Sequence, residues 1–76
     1  MENIKIVYVV VMHKVKKHFF GSNVTKELET FDNHSKAVEF IEEKYGKHYI
    51  RGVFYDTWLR NGDVDDDYIE IETRAV

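Results

Sequence analysis

The chain reads as an α+β fold, a two-layer sandwich in ββαββ order with one helix on a four-stranded, mainly antiparallel sheet. Three observations predict this. Residues 31–46 (FDNHSKAVEFIEEKYG) carry the repeat of a helix. Runs rich in β-branched and aromatic residues flank that stretch on both sides. The 76 residues contain no proline and no linker-like or repetitive segment, so residues 1–76 form one domain.

The helix comes first because it fixes everything else. Asn33 is its expected N-cap, since a short side-chain oxygen accepts from first-turn amides. Asp32 adds negative charge near the positive end of the macrodipole. Ala37, Val38, Ile41 and Tyr45 then recur on one face, with Phe40 beside them, while Glu39, Glu42, Glu43, Lys36 and Lys44 fill the other. Gly46 stands where a left-handed residue ends a helix. About three turns are marginal alone in water, so the apolar stripe must pack on a sheet.

Residues 4–13 form the first strand. Ile4, Ile6, Tyr8, Val10 and Met12 point to one face and Val7, Val9 and Val11 to the other. Apolar residues on both faces predict a central strand covered on both sides. Gly21-Ser22-Asn23 is a turn signal, and residues 24–31 return as the second strand of a hairpin. After the helix, residues 49–60 read as one strand. It would place Ile50, Phe54 and Trp58 on one face, and Tyr49, Val53, Tyr55 and Leu59 on the other. Asn61-Gly62 is a hairpin signal. The aspartates behind it favour a longer acidic loop over residues 61–66. Residues 68–74 close the sheet, with Ile69 and Ile71 inward and Glu70, Glu72 and Arg74 in water. That alternation suggests an edge strand.

Composition narrows the function. There is no cysteine, hence no disulfide and no thiolate metal site. The apolar run at 4–12 is interrupted by Lys5 and too short to span a bilayer, so no leader or membrane segment is expected and the protein is placed in the cytoplasm. The net charge of −3 is unevenly spread. Residues 1–26 hold five lysines against Glu2, whereas residues 27–76 hold six basic and thirteen acidic side chains.

No pattern of catalytic chemistry emerges. The chain lacks a cysteine nucleophile, a GxSxG elbow and a glycine-rich phosphate loop, and it is not expected to be an enzyme. His13, His18, His34 and His48 show neither HxxxH nor HExxH spacing. The acidic loop fails the EF-hand register, with Tyr68 sixth from Asp63 and Arg74 twelfth. Neither metal nor cofactor is therefore expected. Asp63, Asp65, Asp66 and Asp67 read instead as an acidic surface for a basic partner.

Two binding readings follow. The apolar faces outnumber what one helix can cover, which points to a protein-interaction module. Its partners would be a second copy of itself, forming a homodimer, and a further protein. Val7, Val9, Val11, Phe54 and Trp58 are the expected interface residues. The alternative is a nucleic-acid-binding module using the basic-aromatic run at 14–20, with Lys14, Lys16 and Lys17 on phosphates and Phe19 stacking on a base. The acidic balance and the lack of any nucleic-acid-binding motif favour the first reading. In size and in its β-β-α-β-β order the chain resembles accessory proteins of phages and other mobile elements. The resemblance implies action by binding, in some cases inhibition of a host protein.

Overall fold

A computed structural model describes residues 4–14, 24–52, 56–63 and 67–76. The elements run β1 (Ile6–Lys14), β2 (Val24–Phe31), α1 (His34–Tyr45), β3 (Tyr49–Arg51), β4 (Thr57–Arg60) and β5 (Tyr68–Ala75). The five strands form one antiparallel sheet in the order β2-β1-β5-β4-β3. The α+β class and the two layers are as expected. The strand count is five and the order ββαβββ, because the expected third strand is two. None of the described helices is long and apolar enough to cross a membrane.

The helix begins as its sequence predicts. Asn33 Oδ1 accepts from the amides of Ser35 (2.8 Å) and Lys36 (3.4 Å). Ala37 and Ile41 are buried, and Val38, Phe40 and Tyr45 pack at the margin. The helix ends differently, since Gly46 is right-handed (φ −60°, ψ −19°). Glycine serves there by closeness, because a Cβ would collide with the Glu42 carbonyl oxygen.

Alternation along β1 is also as read. Its register places Tyr8, Val10 and Met12 opposite Thr73, Ile71 and Ile69 of β5 on the helix side. Val7, Val9 and Val11 face the other way, opposite Arg74, Glu72 and Glu70. The core lies between α1 and the sheet and is built from Val10, Met12, Ile41, Trp58, Ile69 and Ile71, together with Ala37 and Tyr49. The β1–β2 register slips between Val10 and Val11, leaving Leu28 as the extra residue of a bulge. Leu28 and Phe31 are the β2 side chains that reach this core.

Two expectations are corrected. β5 lies at the centre of the sheet, with β2 and β3 at the edges. Its polar alternation reports one wet face and not an unpaired side. The 49–60 run breaks after β3 and returns as β4, held by the Gly52 amide on the Thr57 carbonyl (2.7 Å). Asp56 takes a left-handed backbone (φ 58°) at the return. The break resets the strand parity. Tyr49 shares the helix face with Trp58, and Ile50 shares the other face with Leu59. The β4–β5 connection spans residues 61–67, and within it Asn61 and Gly62 are both left-handed (φ 52° and 75°). The Asp63 amide closes that turn on the Arg60 carbonyl at 2.9 Å, so the Asn-Gly signal is realised inside a longer loop.

Small domains hold only about 0.05–0.15 kcal/mol of stability per residue. Ile41, on the sheet-facing side of α1, is fully buried. Ile41→Ala is expected to cost about 2–5 kcal/mol and to leave much of the protein unfolded. Urea titration followed by the fluorescence of Trp58 measures this.

Candidate functional site

The sheet face without a helix carries the ordered chemistry. Strand register lays its side chains out in rows. One row crosses all five strands: Ile50, Leu59, Tyr68, His13 and Thr25. The next runs Thr57, Glu70, Val11 and Glu27, and the third Glu72, Val9 and Thr30. Ile50 is 58% exposed, whereas Val9 and Val11 are 3% and 0% exposed within the single chain. The valines are thus the floor of this face, and polar side chains are its outer layer.

His13 is the hub of that layer. Its ring stacks on Tyr68 with centroids 4.6 Å apart and planes 18° from parallel. Nε2 lies 2.6 Å from Glu70 Oε1 and Nδ1 lies 3.2 Å from Thr25 Oγ1. Because a carboxylate only accepts, Nε2 carries a proton in this arrangement, and in the neutral ring the Thr25 hydroxyl donates to Nδ1. Glu72 completes a trio whose ligand atoms all lie within 4.8 Å of one another. Arg74 then bridges Glu72 and Glu27. Hydrogen bonds to Glu72 first, and then to Glu27, raise its guanidinium further above an already high pKa, so this cation is permanent.

A second cluster ties the start of the helix to the β3–β4 return. His34 Nε2 is 2.8 Å from Asp56 Oδ1, and Arg51 Nη2 is 3.6 Å from the same oxygen. The Tyr8 ring meets His34 edge-on at 5.5 Å. Asp56 is the buried charged residue among those described, and its carbonyl accepts from the Ile71 amide at 3.1 Å. Here a left-handed aspartate is placed with both its side chain and its backbone engaged. The Arg51 guanidinium also lies 5.0 Å from the Trp58 ring centroid. Trp58 Nε1 is buried with no hydrogen-bond partner among the described residues, a cost of about 1–3 kcal/mol set against the burial of a whole indole.

The expected interface residues are not all brought together. Val7, Val9 and Val11 share the helix-free face. Trp58 lies on the opposite face, fully buried under the helix, because the strand break changed its parity. Phe54 lies outside the described residues. Of the acidic surface, Asp63 is exposed and Asp67 pairs with Arg60 at 3.6 Å, while Asp65 and Asp66 are outside the described residues. Lys14 is exposed at the end of β1; Lys16, Lys17 and Phe19 also lie outside. On the neighbouring sheet face the carboxylates of Glu27, Glu70 and Glu72 would repel phosphate.

Histidine spacing alone does not find the His13 cluster, because His13 and Glu70 are 57 residues apart. The available signal was Glu70-x-Glu72 on one strand face, joined to His13 once β1 and β5 are paired. Set against known proteins, the chain matches no family model, no curated protein and no solved structure.

The Asp56 arrangement separates charge from backbone conformation. Asp56→Asn keeps a residue tolerant of positive φ and one polar contact to His34. Asp56→Ala loses both, and is expected to cost about 1–3 kcal/mol and more than the asparagine. Paired urea denaturation curves decide it; equal losses would assign the whole effect to the carboxylate charge.

Proposed function

We propose that this protein is a small non-enzymatic protein-interaction module, and that its contact surface is the helix-free face of the sheet. The supporting observation is the composition of that face. An apolar and aromatic row, Ile50, Leu59 and Tyr68, runs beside the carboxylates of Glu27, Glu70 and Glu72 over a floor of buried valines. Apolar and aromatic area supplies binding energy, and fixed charges supply orientation and partner choice.

A second copy is the first partner in this reading. A two-fold contact is self-complementary, so Arg74 of each copy can meet carboxylates of the other. Edge-to-edge pairing is the less favourable route. β2 carries Lys26, Glu27, Glu29 and a bulge, and β3 has only three residues. Those are the devices that discourage strand addition. The loop bearing Asp63 and Asp67 lies at the same end of the sheet as Tyr68 and gives a further acidic surface for a basic protein. Action by binding also agrees with the resemblance to mobile-element accessory proteins, with the cytoplasm as the proposed compartment.

Light scattering at two protein concentrations is the test. The expected result is a dimer at high micromolar concentration that Ile50→Lys, a change at an exposed position, converts to monomer. A wild-type monomer at that concentration would remove self-association. A dimer indifferent to Ile50→Lys would move the interface off this face.

A further inference from the structure

From the arrangement of His13, Glu70 and Glu72 we infer a binding site for a divalent first-row transition cation of the Zn²⁺ kind, formed across β1 and β5. The inference goes beyond the interaction reading and stands whether or not anything docks on this face.

Donor chemistry selects the class of ion. Two carboxylates and an imidazole nitrogen suit Zn²⁺ and its neighbours, whereas Ca²⁺ and Mg²⁺ prefer sites made of oxygen alone. Three protein ligands leave a coordination position for water, as in open zinc sites. The spacing is close to what an ion needs. Donors bound at about 2.0–2.2 Å in a tetrahedral site sit roughly 3.3 Å from each other. All three donor atoms already lie within 4.8 Å of one another, with His13 Nε2 and Glu70 Oε1 at 2.6 Å. Binding spreads that pair slightly and draws Glu72 inward. Both glutamates are half-buried on the central strand, so their rotamers can change while the backbone stays fixed.

The surroundings hold each ligand in place. Tyr68 stacks on the His13 ring and limits its rotation. Thr25 Oγ1 stands at Nδ1, and a hydroxyl can reverse its role. When the ion takes the Nε2 lone pair, the imidazole proton moves to Nδ1 and is donated to Thr25. Outer hydrogen bonds of this type orient metal-bound histidines. Arg74 holds Glu72 by Oε2, which leaves Oε1 for the ion. Charge agrees as well. Glu27, Glu70 and Glu72 carry three negative charges against the one positive charge of Arg74, and a dication neutralises the remainder.

Titration of the full chain with ZnCl₂, followed by calorimetry, tests the site. One ion per chain is expected. His13→Gln, Glu70→Gln and Glu72→Gln should each weaken binding by more than the roughly tenfold loss expected for Thr25→Val. His34→Gln should leave the affinity unchanged. No binding at millimolar Zn²⁺, or affinity that survives His13→Gln, would overturn the assignment. If His13→Gln does not fold, the imidazole ¹⁵N spectrum of the wild-type protein decides instead. Zn²⁺ should shift His13 to the Nδ1–H tautomer, and a response confined to the other histidines would overturn the site.

Discussion

Twelve helical residues have to close one face of a five-stranded sheet, and most of the architecture follows from how they do it. A helix of this length cannot cover five strands with small side chains. Trp58, Tyr49, Met12 and the isoleucines Ile69 and Ile71 fill the space between Ile41 and the strands. The indole spans the gap at the cost of an Nε1 that has no hydrogen-bond partner among the described residues. The β2 bulge serves the same closure, since it brings Leu28 under the helix margin from a strand whose other core-reaching side chain is Phe31. Fixing the helix start through Asn33 and His34–Asp56 completes the layer.

The opposite face solves its coverage problem without a second helix. The small valines of β1 are shielded by long polar neighbours, and those neighbours are tied to each other by hydrogen bonds. Long charged side chains cover apolar surface with their stems and keep their heads in water. That answer differs from the one periodicity suggests. A strand apolar on both faces implies two covering layers, but β-branched residues are short enough for glutamate and arginine from the adjacent strands, with His13 of β1 itself, to cover them.

Much of the fold was legible because local signals and tertiary packing agree. The helix, its cap, the alternation of β1 and the inward isoleucines of β5 all stand where the residues place them. The failures share a cause. Residues 49–60 contain a continuous run of β-formers, and the return between β3 and β4 rests on Gly52 and a left-handed Asp56, neither of which forms a turn dipeptide. Once that return is missed, the sides of the β4 residues are reversed relative to β3, which is why Trp58 reads from sequence as a surface residue. Sheet order is likewise set by long-range pairing, and alternation cannot separate an edge strand from a central strand with one wet face. The His13–Glu70–Glu72 trio was illegible for the same reason: it exists only through the β1–β5 register.

That register also dictates when the protein can take shape. β1 lies between residues 6 and 14 and β5 between residues 68 and 75, so the middle of the sheet joins segments separated by most of the chain. Loop closure over such a span is entropically costly, and folds dominated by distant pairings form slowly. During synthesis β1 cannot meet its β5 partner until the residues between the two strands have also been made.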